Sequence, residues 1–325
     1  MLKDKNSSNF TKYSYLLIAF TGFLLILYIL SFTKSCSINE GDKREKVKTS
    51  LVNQKYKDSI NYITLQDARG SLELKLYKGF WTLQRLSDYT ASNIEEEISL
   101  PLSQERIESF FKELTKVRNL YKISDNITQT SSLGLSNGTE FHITYSIKDT
   151  EGKENFHELI FGNQDFSLSL RYMMTGENPR VYEIDDSLDA YLTTSIQSWA
   201  EPYIISRIIS DTKDIQNIKA FNYEADESVK SYKITDTNRL LELRHGGLPS
   251  PEEFISLEHQ SPVCRIEIEN GNKSSEEVII FKSDNQEENT YLVKTVYKDG
   301  LGKIFYTASS KISSWTYNMI IETML

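Results

Sequence analysis

The chain is poor in the residues and motifs that usually carry chemistry. It has two cysteines, Cys36 and Cys264, in 325 residues. Two cysteines cannot build a disulfide framework. Cys36 adjoins an apolar run and Cys264 lies in a distant strand-like run, so they read as two unrelated free thiols. The four histidines, His142, His157, His245 and His259, include no pair at metal-ligand spacing. His157-Glu158 does not begin a zinc-binding HExxH motif, because position 161 is Phe. The chain holds no phosphate-binding loop or acidic calcium loop. Adjacent acids such as Asp185-Asp186 and Glu252-Glu253 sit in turn-rich stretches and read as solvated loops rather than a glycosidase pair. Basic charge is in deficit, with 37 Lys and Arg against 46 Asp and Glu and a net charge of −9. That net charge argues against nucleic-acid binding, which needs a basic face to neutralise phosphates. No residue stands out as catalytic, cofactor-binding or metal-ligating, and the expectation is a protein that is not an enzyme and carries no cofactor.

One long apolar run is present. Tyr13 to Phe32 holds no charge, and Lys12 and Lys34 bound it. As a helix rising ~1.5 Å per residue it spans a hydrocarbon core of ~30 Å. Tyr13, Tyr15 and Phe32 stand where interfacial aromatics belong. The run is longer than a cleaved signal core, and no small-residue cleavage site follows. It reads as an uncleaved anchor over residues 1–34, with the lipid bilayer as its partner. A lipoprotein acylated at Cys36 is the alternative, which Lys34 fits poorly. The positive-inside count is ambiguous, but a tiny N-terminal tail suits a body on the extracytoplasmic side.

Residues 35–60 are polar with mixed charge and read as a linker. Structure is expected from residue 61. Ile63 and Leu65, then Leu72, Leu74 and Leu76, then Trp81 and Leu83 alternate with polar residues. Turns are expected at Asp67–Gly70 and Lys78-Gly79, giving three antiparallel strands. Ser103 can cap a helix with Ile107, Phe110, Phe111, Leu114 and Val117 on one stripe. That helix should lie across the sheet, since each has one apolar face to bury.

The chain then repeats itself. Residues 158–199 and 278–315 share an order: an apolar run ending in Phe (Phe161, Phe281), a break, two more strand-like runs and a closing Ser-Trp (Trp199, Trp315). The second half also opens with three strand-like runs between Ile218 and Gly247. Its Leu248–Phe254 stretch echoes Leu100–Arg106, without a long helix. The fold expected is α+β: a single N-terminal transmembrane helix followed by two related antiparallel-sheet-plus-helix modules, 61–204 and a shortened 205–325. Trp81, Phe110, Phe111, Gly134, Phe161, Gly162, Trp199, Phe281 and Trp315 are its structural landmarks. Arg244 and His245, ahead of two glycines, form a weak anion-site candidate against the plainer reading of a strand ending in a turn.

Several of these segments carry a resemblance. Trp81, the Ser103 helix, Ile123–Asn126, Leu133-Gly134-Leu135, Leu159–Gly162 and Val181–Asp185 resemble the bacterial family known as domain of unknown function 4340. The likeness covers roughly residues 60–205, and Lys282 stands where the first copy has Gly162. The resemblance implies a single-span protein of the bacterial cytoplasmic membrane, often found with gliding-motility-type ABC transporter subunits and without an established activity. The function expected is an auxiliary or scaffold component of such an envelope complex. The alternatives are an extracytoplasmic glycan- or ligand-binding module and, behind it, an envelope hydrolase.

Overall fold

The computed structural model describes residues 45–324 apart from 78, 84–99, 126–129, 149–151, 207–214, 224–227, 251–252, 254–256, 258–259 and 284–288. The described body falls within one compact unit, Val47–Leu325. The apolar run Tyr13–Phe32 and Cys36 lie outside the described residues. Among the described residues no helix is long and apolar enough to cross a membrane.

The body is mostly antiparallel sheet with few helices. Ten strands form the first sheet: β1 (Lys46–Thr49), β2 (Ile60–Asp67), β3 (Gly70–Tyr77), β4 (Phe80–Leu83), β5 (Leu100–Pro101), β6 (Arg118–Ser124), β7 (Phe141–Lys148), β8 (Glu154–Gln164), β9 (Leu170–Thr175) and β10 (Asn178–Asp185). Their order is β1-β6-β10-β9-β8-β7-β2-β3-β4-β5. The alternation around Ile63, Leu72 and Trp81 thus becomes β2, β3 and β4, with Ile63 opposite Leu74 and Leu76 opposite Trp81.

Helix α1 (Gln104–Thr115) buries Ile107, Phe110, Phe111 and Leu114, and the Ser103 side chain accepts from Arg106 N. These residues join Ile63, Leu65, Leu74, Leu83, Ile143, Phe161, Met173 and Trp199 in one core. Val117, expected on the same stripe, is 59% exposed. The helix stops at Thr115 and Lys116 is extended, so Val117 leaves the helical face. The expected linker also needs correction. Residues 46–49 form β1, residues 54–59 form a 3-10 helix, and Val52 is buried. All four β1 residues are exposed, so this strand had no alternating pattern to betray it.

Six strands form the second sheet: β11 (Ile215–Tyr223), β12 (Val229–Lys233), β13 (Pro262–Asn270), β14 (Ser275–Lys282), β15 (Thr290–Lys298) and β16 (Ile304–Ser313). Their order is β12-β11-β13-β14-β15-β16. Inward-facing Ala220, Cys264, Ile266, Val278, Ile280, Val293 and Ile312 form a separate core. The third strand-like run expected here is instead the short helix α3 (Thr237–Leu241). Asp236 caps it by accepting from Arg239 N, and Leu240 and Leu241 turn into the core. Two further helices follow the last strand of each sheet: α2 (Ile196–Trp199) after β10 and α4 (Ser314–Glu322) after β16.

The orders of the two sheets coincide. β10-β9-β8-β7-β2-β3 in the first corresponds, position by position in the chain, to β16-β15-β14-β13-β11-β12 in the second. In each, a hairpin opens the set, a helix intervenes, a four-strand meander follows, and a Ser-Trp segment closes it. Lone bridges stitch the inner edges together: Leu102 to Ala200, Tyr203 to Arg244, and Gly247 to Lys311. Among the described residues, the outer edges of the two sheets are β1 and β12.

Candidate functional site

The polar core of the molecule lies along that stitched seam. Residues 200–206 leave α2 and pass between the sheets, with Glu201 N donating to the Pro101 carbonyl at 3.0 Å and Ile204 N to the Leu243 carbonyl at 3.1 Å. This path carries Glu201, Tyr203 and Ser206 against β14–β16. Glu276 on β14 is 1% exposed. Its carboxylate accepts from Ser206 N at 3.0 Å and from the Tyr306 hydroxyl at 3.4 Å. Burial, then the Glu276 charge, holds the Tyr306 phenol well above its ordinary pKa. Thr295 Oγ1 donates to the Ile204 carbonyl at 3.3 Å.

A cavity of about 20 Å³ opens here, lined by Glu201, Tyr203, Ser206, His245, Tyr306 and Ser309 among others. That is room for one water molecule. His245 Nε2 donates to the Glu201 carbonyl at 2.7 Å. Burial lowers the His245 pKa, so the imidazole is neutral and Nδ1 is its unprotonated nitrogen. Nδ1 and the Ser309 hydroxyl are buried without a hydrogen-bond partner, and a water in the cavity would answer such groups.

The anion-site candidate does not assemble. Arg244 is exposed, stacks on the Tyr203 ring at 4.9 Å and donates to the Tyr203 hydroxyl at 3.0 Å. His245 is turned into the seam as a neutral donor beside Glu201. A strand-like bridge residue pointing out and its successor pointing in cannot converge on one anion.

The remaining landmarks have structural places. Trp81 is 7% exposed and its ring lies 5.5 Å from Phe111. Phe110 meets Trp199 edge-on at 5.3 Å, and Arg106 caps Trp199 at 4.8 Å. Gly134 and Gly162 form one contact. Asn163 N donates to the Leu133 carbonyl at 2.8 Å. A Cβ on Gly162 would stand 2.3 Å from that carbonyl oxygen, and one on Gly134, where φ is +71°, 2.5 Å from the Asn163 side chain. Phe281 belongs to a small cluster with Leu257 and Leu292. Trp315 departs from the others at 66% exposed, in the first turn of α4.

A cluster not foreseen from the sequence fastens α1 to β10. The Arg118 side chain is 1% exposed and pairs with Asp185 at 3.2 Å. It also donates to Ser187 Oγ at 3.3 Å and to the Glu113 carbonyl. Burial works to raise the Asp185 pKa, but the Ser187 hydrogen bond and the Arg118 and Lys116 charges hold it below its ordinary value. His142 pairs with Glu158 at 2.8 Å and His157 with Glu177 at 2.7 Å. Among the described residues no group of three or more His, Cys, Asp or Glu is placed to hold a metal ion.

A sheet-rich body whose polar residues serve its own seams is the class defined by this geometry. The family model described as Domain of unknown function (DUF4340) matches residues 93–255, and the chain belongs to that family. The match takes in α1, the Gly134–Gly162 contact, β5–β12 and α3, and it leaves out β2–β4 with Trp81. No curated protein and no solved structure matches the chain.

Proposed function

We propose that this protein is a non-enzymatic, membrane-anchored interaction subunit, held by Tyr13–Phe32 with its body on the extracytoplasmic side and working beside the subunits of an ABC-transporter-type envelope complex. The observation that carries the reading is the disposition of sheet edges. The inner edges are stitched to each other, while β1 and β12 are the outer edges of two large sheets. Exposed edges present unpaired backbone groups that a partner strand can complete. Beside β12 runs an open groove of about 680 Å³, lined by Gln216, Lys219, Ser231, Tyr232, Thr237 and Asn238 among others. Its open, polar walls suit a chain segment better than an enclosed small molecule. The common strand order supports descent of the two modules from one duplicated unit, the second having a shortened helix.

The test places a photo-crosslinking residue at Val229 on β12 or Val47 on β1 of the tagged full-length chain, in its native membranes. Adducts with identified transport-complex subunits from either edge are expected. An absence of adducts at both edges, with no partner retained in mild detergent, overturns the proposal and directs attention to glycan binding.

A further inference from the structure

Two hairpin tips expose apolar side chains beyond what folding requires. Between β8 and β9, Phe166 is 101% and Leu168 70% exposed. Between β15 and β16, Leu301 is 95% and Ile304 53% exposed. They extend from opposite strand ends. Gln66 near the end of β2 pairs with His142, and Gln164 pairs with Arg171, so the Phe166 turn stands at the Asp67 end of the strands. Phe305, next to the Leu301 turn, lies 5.3 Å from Tyr77 and 6.2 Å from Phe80 at the far end of β3 and β4.

Charge distinguishes the tips. The Phe166 turn is built on Asp165, which accepts from Ser169 N and Leu170 N, and the neighbouring Arg171 is engaged by Asp186 and Asp189. The Leu301 turn is likewise held by an acid, half-buried Asp299, which accepts from Leu301 N and Lys303 N, each at 3.0 Å, but here the surrounding charges are basic. Lysines flank the apolar pair. Lys303 is exposed, Lys298 is 41% exposed with Glu277 3.9 Å away, and Lys273 is exposed on the adjoining turn, where Gly300 sits against Asn272. An apolar tip ringed by lysines matches an anionic lipid surface, whose headgroups attract the cations while its interface accepts the aliphatic groups.

Reach supplies the second argument. Thr33 to Glu45 joins the apolar run to β1, and a chain of that length spans at most about 45 Å. A tether this short holds the body at an effective concentration on the order of millimolar near the surface, so a small contact suffices.

We propose that the Leu301 hairpin is a second membrane contact, with Leu301 and Ile304 entering the headgroup region of an anionic bilayer and Lys273, Lys298 and Lys303 meeting its phosphates. This rests on the reading of Tyr13–Phe32 as an anchor. The contact would fix which face the body turns to the bilayer and leave the acidic Phe166 tip in water.

The test uses the full chain with Cys36→Ser and one spin-labelled cysteine, Ile304→Cys or Phe166→Cys, in vesicles of phosphatidylethanolamine and phosphatidylglycerol. Flotation first reports whether the chain binds vesicles at all. The label at 304 is expected to be reached by oxygen and shielded from a water-soluble nickel complex, while the label at 166 meets both. Leu301→Glu, or Lys273→Glu with Lys298→Glu and Lys303→Glu, should return the 304 label to water, as should phosphatidylcholine vesicles. A chain that floats with the 304 label in water overturns the second contact and leaves the anchor standing. A chain that does not float overturns both. A 304 label shielded from both reagents means that protein covers the hairpin, which overturns the lipid assignment.

Discussion

At the scale of single residues, the two tryptophans that close the matching segments have opposite surroundings. Trp199 is 0% exposed, and its indole N–H donates to the Thr193 carbonyl at 2.9 Å. Trp315 is 66% exposed. Trp199→Ala should therefore cost about 3–5 kcal/mol, the range for emptying a buried aromatic site. Trp315→Ala should stay within about 0.5 kcal/mol, as surface changes do. Chemical denaturation of both variants checks the contrast, and equal losses would contradict the burial. The sequence marked these residues as a pair. It could not separate them, because the Ser-Trp signal is local and burial depends on what packs above it.

His245 makes a pH-dependent contribution of known sign. Burial lowers its folded pKa, so the unfolded chain takes up the proton first. The stabilisation is complete above the unfolded value of ~6.5 and is lost as pH falls through it towards the folded value. The lowered Asp67, Asp185 and Glu253 act in the same sense at more acidic pH, below the ordinary carboxylate range. His245→Gln should keep a donor for the Glu201 carbonyl without titrating. Its melting temperature relative to the parent should rise as pH falls from 7.5 to 5.5. A difference that is flat across that interval would place the histidine outside the seam.

At the scale of elements, regular patterns were readable and close approaches were not. The stripe of α1 and the alternation of β2–β4 repeat within a few residues, so their periods show in the sequence. The meeting of Gly134 with Gly162 is different. It arises where a turn lands on β8, and nothing local to either glycine reports the other. Gly162→Ala should force the Leu133 carbonyl aside and cost about 1–3 kcal/mol, as overpacking does. Thermal unfolding measures it, and an unchanged transition would show that the corner yields freely. The short α3 was legible only in retrospect, through Asp236 as a cap; the Leu240-Leu241 pair reads equally well as strand.

At the scale of the whole molecule, the sheet-rich fold followed from strand runs and turns, while the seam did not. Glu201, His245, Glu276 and Tyr306 come from four distant segments. Polar residues read one at a time are assigned to the surface. Only the stitched register of residues 200–206 and 244–247 gathers them inside. The strand orders of the two sheets coincide, each sheet keeping its turns in the same succession.

That shared order has a consequence for how the chain reaches its native state. In the first sheet the opening hairpin meets the meander where Ile63 lies opposite Tyr145; in the second, Ala220 lies opposite Ile266. The first closure encloses nearly twice the length of chain, which adds about 0.5 kcal/mol of entropic cost before any contact rewards it. Pairings of such long sequence separation slow folding. The second sheet should therefore be able to close while the first is still searching, and its β16 edge would already be in place to receive the seam.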